Sequence, residues 1–290
     1  WMRPSQVFLM PRFRGSLDIF KYGGTFATAR VIEVVSRNTH EFLIAKHLGF
    51  ASVGLFSRSL GLLELFYNNF TAAVLRVFGP IVSEDNRNGR PLPRRYAETT
   101  VLLTAIAWPV LTFVALFATD IIGTVFGGQW LAAGPPASLL ALRGMGSVLT
   151  VLGPTMLITT GRIRLRLGLT LITASVHITA VAVGSRYGLQ AVAIAFMASA
   201  LVGPSLYAHA LPKVLGCERR ELFQGVGRSV WLGLGFAALV GATAIGLQRT
   251  ELPSLSKLAL AIPAAVAAWF GIARALHHPV LAQIGWLARR

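Results

Sequence analysis

Apolar residues run through this chain in long blocks, not in the narrow stripes of helices that cover a soluble core. The blocks fall at about residues 22–45, 51–79, 99–123, 131–160, 167–184, 188–211, 228–247 and 255–275. Each is long enough to cross a hydrocarbon core, which takes roughly 20 apolar residues in a helix. The pattern therefore predicts an all-α, polytopic transmembrane helical bundle of about eight spans. Prolines interrupt several blocks, at Pro109, Pro135, Pro136, Pro154, Pro204 and Pro263. They predict kinks, with neighbouring helices and Ser/Thr side chains taking up the freed backbone groups. From Pro279 to Arg290 apolar and polar residues alternate around Trp286, which predicts an interfacial amphipathic helix rather than a ninth span.

Composition agrees with the blocks. Of the 290 residues 54% are hydrophobic and 13% charged, and the mean hydropathy is +0.63. Soluble domains carry about 25% charged residues. The formal net charge of +16 would suggest nucleic acid in a soluble protein, but here the basic residues sit in short clusters between apolar blocks. Alternate connections hold 18 and four Lys/Arg residues; the rich set includes Arg87, Arg90, Arg94, Arg95, Arg162, Arg164, Arg166, Arg219 and Arg220, the poor set Lys46, Arg186, Arg249 and Lys257. Short cytoplasmic loops collect Lys and Arg, so both ends are expected in the cytoplasm, and no nucleic-acid partner is expected. The expected organisation is a cytoplasmic segment at 1–21, a six-helix bundle at 22–211, a cytoplasmic loop at 212–227, two additional helices at 228–275 and an amphipathic tail at 276–290. A chain that opens on Trp1, with no signal peptide, reads as part of a longer protein. One cysteine, Cys217, excludes an intrachain disulfide, and without clustered thiols no zinc or iron–sulfur site is expected. Neither a phosphate loop nor a nucleophile–base motif occurs, so neither enzymatic chemistry nor a cofactor is expected.

Five basic residues inside blocks are not counted with the connections: Arg30, Arg37, Arg58, Arg76 and Arg143. A charge at the bilayer centre costs at least about 2.5 kcal/mol, so such residues face a partner or water. At about 100° per residue, Arg30, Glu33, Arg37 and Glu41 share a stripe about 80° wide. That stripe either lines an aqueous pathway or pairs with another helix. Glu64 and Asn68 are one turn apart in the second block, and Arg143 is followed by Gly144, Gly146 and Ser147, small residues that permit close helix approach. Arg76 reads as a residue that snorkels to the interface. His177 and His209 read as isolated packed residues.

Several phrases resemble the polysaccharide flippases of the multidrug/oligosaccharidyl-lipid/polysaccharide exporter superfamily. They are Leu48-Gly49-Phe50 through Ser57, Phe78-Gly79-Pro80-Ile81-Val82-Ser83 with Arg94-Arg95-Tyr96, Ala118 to Trp130, and Gly188-Leu189-Gln190-Ala191-Val192-Ala193, where Ala191 replaces the second glycine of the family phrase. The likeness covers about residues 17–212 and rests on turn and packing residues. It implies the second helical bundle plus the additional C-terminal helices of a flippase fold in the bacterial inner membrane. It also implies export of a lipid-pyrophosphate-linked oligosaccharide by alternating access, with membrane lipids, a polysaccharide polymerase and assembly proteins as partners. On that reading Arg30, Arg37, Arg58, Arg143 and Asn68 are the cavity candidates for substrate, and Glu33, Glu41 and Glu64 the ion-coupling candidates. A drug exporter of the same superfamily, a membrane enzyme of polysaccharide assembly and a structural subunit are the alternatives. Basic cavities disfavour the first, and the lack of a large outer loop or cytoplasmic catalytic domain disfavours the second.

Overall fold

The computed structural model describes residues 16–281; residues 1–15 and 282–290, and the side chains at 16–19, 21, 65, 66 and 68, lie outside the described set. The N-terminal arm and most of the expected amphipathic tail therefore fall outside it. The helices are α1 (Ser16–Leu48), α2 (Phe50–Arg87), α3 (Leu92–Val125), a 3-10 segment (Gly128–Ala133), α4 (Gly134–Val148), α5 (Gly153–Thr159), α6 (Ile163–Gly184), α7 (Leu189–Ser199), α8 (Val202–Leu215), the short α9 (Arg219–Leu222), α10 (Val226–Gln248) and α11 (Ser254–Ala275). Every apolar block became helix, and the described residues contain no strand.

Six helical runs are long and apolar enough to cross a membrane: α3, the run Gly128–Thr159, α6, the run Leu189–Leu215, α10 and α11. The first two helices are as long, at 33 and 38 residues, but carry more charge. They are part of the same bundle: α1 packs along α6 and against α2, and α2 packs against α4. A single residue, Gly49, turns the chain between them, and its φ of 82° is one that side chains resist.

Two of the spanning runs are broken. Residues 149–152 separate α4 from α5, and Ala200 and Leu201 separate α7 from α8. Pro154 and Pro204 stand at the start of α5 and α8, where a missing N–H costs no helical bond. Backbone carbonyls inside a bundle need partners that water cannot supply. The Tyr96 hydroxyl donates to the Leu149 carbonyl at 3.1 Å and the Trp108 indole to the Met145 carbonyl at 3.0 Å, so α3 serves the broken run directly. Pro109 in α3 has no N–H for the Ala105 carbonyl, and the Trp269 indole of α11 donates to that oxygen at 2.9 Å.

The main core gathers Phe56, Phe78, Tyr96, Leu111, Leu152 and Met156 between α2, α3, α4 and α5. A second core, with Phe117, Phe236, Val240 and Ala261, joins α10 and α11 to α3. After α11 the chain turns back, and buried His278 accepts the Val280 N–H on Nδ1 at 3.3 Å. Its Nε2 lies 3.2 Å from the Ser229 hydroxyl, which donates to the Val101 carbonyl. This order of bonds requires the neutral ring with its proton on Nε2, and burial pushes its pKa down accordingly.

At the α2–α3 turn, Asp85 is buried and held by Arg95 at 3.0 Å and Arg90 at 3.3 Å. These guanidinium partners, Arg95 first, hold its carboxyl below the ordinary 3.8. A carboxyl lowered on folding adds stability above its unfolded pKa and loses it as pH falls through the folded one. Asp85→Asn should therefore lower the thermal unfolding temperature in detergent at neutral pH. It should also flatten the loss of stability that the parent protein shows below about pH 4. At the α6–α7 junction, a Cβ on Gly184 would stand 2.8 Å from the Ala191 carbonyl oxygen. Because that atom is backbone and cannot swing away, Gly184→Ala should cost about 1–3 kcal/mol, read from the same unfolding experiment.

Candidate functional site

The two helix breaks lie side by side, and a cavity of about 280 Å³ opens next to them. Its wall takes Ser147 and Thr150 from the first break, Ser199, Ala200 and Gly203 from the second, and side chains from α1, α2, α6 and α8. An adjoining chamber of about 230 Å³ reaches α3 through Leu111 and shares Arg37, Leu60, Glu64, Arg143 and Ser147 with the first. Discontinuous helices at mid-bundle are where transporters present backbone and short polar side chains to a substrate.

Helix α1 supplies one side of its charged stripe. Around the helix axis Glu33, Arg37 and His40 cluster within about 60°, while Arg30 and Glu41 lie further round by about 20–40° beyond Arg37. The cavity is lined by Glu33, Ser36, Arg37 and His40. Arg30 and Glu41 remain exposed outside its wall. Arg37 and Glu64 are also exposed, so the cavity is open along its α1–α2 side.

The basic groups divide into committed and uncommitted. Glu33 accepts from Arg30 at 3.0 Å and from Arg166 at 3.1 Å. Arg166 belongs to the first turn of α6, its side chain is only 6% exposed, and its guanidinium also covers the Phe26 ring at 5.0 Å. In the sequence it counts as a loop arginine on the cytoplasmic side; the tertiary structure instead buries it against α1. The cation needs a counter-charge there, and Glu33 supplies it. Arg58 lies over Phe126 and Trp130, at 5.3 and 5.0 Å from the ring centroids, outside both chambers. Arg76 is exposed and donates to the Ala72 carbonyl of its own helix. Arg37 and Arg143 line both chambers and take part in no ion pair among the described residues. Arg143 holds its guanidinium 4.9 Å from the Phe196 centroid and leaves Nε buried without a partner. Of the remaining sequence candidates, Glu64 lines both chambers, and the Asn68 side chain lies outside the described residues.

His40 is absent from the sequence reading, and His177, read there as an isolated packed residue, lines the same cavity. His40 lines the cavity at 6% exposure, packed on Phe56 and Phe196 with centroids at 5.5 and 5.2 Å. His177 stacks edge-on to Phe196 at 4.5 Å and places Nδ1 2.9 Å from the Ser199 hydroxyl. Phe196 is thus a hub touched by α1, α2, α4 and α6. The spacing Glu33, Arg37, His40 is legible as one helical face. The approach of His177 from another helix is not.

The buried ion pair makes a contrast that can be measured. Glu33→Gln leaves the Arg166 guanidinium buried without a counter-charge and should cost about 3–5 kcal/mol. Arg30→Gln removes only an exposed partner and should cost less than about 1 kcal/mol. Thermal unfolding of the two variants in the same detergent separates them.

Residues 1–135 match the sequence model of a family described as polysaccharide biosynthesis protein. The chain is also similar to the teichuronic acid biosynthesis protein TuaB of Bacillus subtilis (strain 168), with 25% identity over 149 residues. That match takes in 51% of this chain and 31% of the relative, so the chain spans about a third of the relative's length. No solved structure gives a significant match. The matched residues carry α1, α2, α3 and the 3-10 segment, and with them Glu33, Arg37, His40 and Glu64 of the cavity. This is a multi-pass helical membrane protein whose first 135 residues are similar to the family described as polysaccharide biosynthesis protein.

Proposed function

We propose that the chain is part of a transporter that moves a lipid-pyrophosphate-linked oligosaccharide from the inner to the outer leaflet of a bacterial cytoplasmic membrane. The observation that carries this reading is the pair Arg37 and Arg143, uncommitted to any carboxylate among the described residues and facing one cavity beside two helix breaks. Guanidinium groups bind phosphate oxygens in pairs, and the polyprenyl pyrophosphate is the anionic part of such a substrate. Each chamber is below the roughly 300–1,000 Å³ of a pocket for a drug-sized ligand, so the cavity suits the phosphate end of the substrate and leaves the rest of the glycan in open water. Membrane lipids would take the polyprenyl tail, and a polymerase would receive the product.

In this reading α1 and α2 cross the membrane with the six apolar runs, and both termini face the cytoplasm, as the loop arginines require. Alternating access works by rocking bundles about the cavity, without a covalent step. The ion-coupling role narrows to Glu64. It alone of the three glutamates lines the cavity without an ion pair among the described residues.

Translocation of the lipid-linked glycan in a deletion strain complemented with variants tests the proposal. Arg37→Gln and Arg143→Gln should each lower transport about tenfold, the worth of a charged hydrogen bond. Arg76→Gln, bonded to its own helix, should leave transport at the parent level. Full transport in the Arg37/Arg143 double variant would overturn the reading.

A further inference from the structure

Helices α2 and α3 hold a cavity of about 510 Å³ between them, separate from the two chambers of the bundle centre. Phe70, Val74, Val77 and Ile81 of α2 line it, with Leu102 and Ile106 of α3. Residues spaced by three, four, seven and eleven positions share one helical face, so each helix gives the cavity a single apolar stripe. Val77, Ile81 and Ile106 are exposed, and the cavity is therefore open to the hydrocarbon around the bundle. The stripes run inward from the α2–α3 turn, over Ile81 to Phe70 and over Arg95 to Ile106. At about 1.5 Å per residue each is about 16 Å long. One leaflet of a bilayer core is about 15 Å deep.

The end nearest the turn is polar. Arg95, Glu98 and Thr99 line it, and buried Val280, from the turn after α11, adds to the wall. Arg94 and Arg95 stand in the first turn of α3, and each commits its Nε to a carboxylate. Arg94 donates to Glu98 at 2.9 Å and Arg95 to Asp85 at 3.0 Å. A guanidinium carries five N–H donors, so the terminal amino groups of both arginines make no hydrogen bond among the described residues. The Nη1 of Arg95 reaches ion-pair range of Glu98, at 3.8 Å, and no closer. Both side chains are open to water, Arg94 at 81% and Arg95 at 41% exposure. Between Ser83 and Glu98 four arginines (87, 90, 94 and 95) meet three carboxylates (84, 85 and 98), which leaves one positive charge over.

An apolar shaft one leaflet deep, with free guanidinium donors at its mouth, fits a lipid whose phosphate is its only charge. A zwitterionic head group brings an ammonium too, but Asp85 and Glu98 are already held by arginine. The chain beyond Leu281 does not suit the shaft. It carries Arg289 and Arg290, and laying that stretch inward would put both in hydrocarbon. We propose that this recess binds an anionic glycerophospholipid, with one acyl chain between α2 and α3 and the phosphate on the terminal amino groups of Arg94 and Arg95. The site lies outside the transport cavity and does not depend on the transport reading. Because α2 also carries Glu64 of that cavity, the bound lipid braces a helix that forms its wall.

The test is equilibrium binding to the full chain in detergent micelles, with phosphatidylglycerol and phosphatidylcholine of identical acyl chains as probes. Phosphatidylglycerol should bind about tenfold more tightly, the worth of one charged hydrogen bond. Arg94→Gln should remove most of that preference and leave phosphatidylcholine affinity unchanged. Arg164→Gln takes an exposed arginine from a different connection and should leave the preference intact, which separates a site from the general pull of a basic surface. Val77→Trp should fill the shaft and weaken both lipids alike. Phosphatidylglycerol with a diazirine at mid-chain should label residues between Phe70 and Ile81 or between Leu102 and Ile106. Equal affinity for the two lipids, a preference that survives Arg94→Gln, an equal loss in Arg164→Gln, or labelling elsewhere would overturn the inference. So would displacement of bound phosphatidylglycerol by a polyprenyl phosphate at lower concentration, which would make the recess a site for an isoprenoid lipid instead. None of these readouts uses translocation, so this inference and the transport reading fail separately.

Discussion

A backbone carbonyl inside a membrane bundle has no water to turn to, and every break in a spanning helix releases some. Much of this architecture is the consequence of supplying them with partners. Tyr96 and Trp108 of α3 donate to the broken α4–α5 run, and Trp269 of α11 donates to the carbonyl that Pro109 leaves free. Those bonds fix α3 as the common wall between the two cores. They also let α4 stop beside α7 without leaving the Met145 and Leu149 carbonyls unsatisfied. The cavity exists because two helices stop at the same depth.

The same constraint sorts the charges. Arg166 is tolerated in the bundle because Glu33 neutralises it, and that pair draws α1 onto α6. Near the C-terminal ends of the same two helices, the Ser185 hydroxyl lies 2.9 Å from His47 Nδ1, so α1 and α6 run parallel between an ion pair and a hydrogen bond. Between the ties, Arg37, His40 and Arg143 face the cavity without a committed partner among the described residues' ion pairs. Packing alone does not account for half-buried Arg143, since an apolar residue would fill the same place at lower cost in desolvation. That contrast, more than the number of arginines, separates the scaffold from the site.

Membrane character, helix positions and the charged face of α1 were all legible in the chain. Block length sets whether a segment can span, and the 3.6-residue period places Glu33, Arg37 and His40 together. Loop arginines were less readable. Arg166 stands next to a polar turn in sequence, yet its side chain runs inward to Glu33 because α1 lies across it. Arg58 is one helical stretch away from Glu64, but Phe126 and Trp130 from the next connection cover it instead.

By itself, then, the sequence determined the local and periodic properties: apolar length, helical phase, and which residues could not face lipid. Only the tertiary structure decided which charges neutralise one another and which stay outside any ion pair among the described residues. The physical reason is range. Hydropathy and helical phase are set by neighbours within a few turns of chain, whereas the fates of Arg143, Arg166 and His177 depend on residues brought from other helices. The separation between Glu33 and Arg166 is 133 residues, and nothing periodic in the chain encodes their meeting.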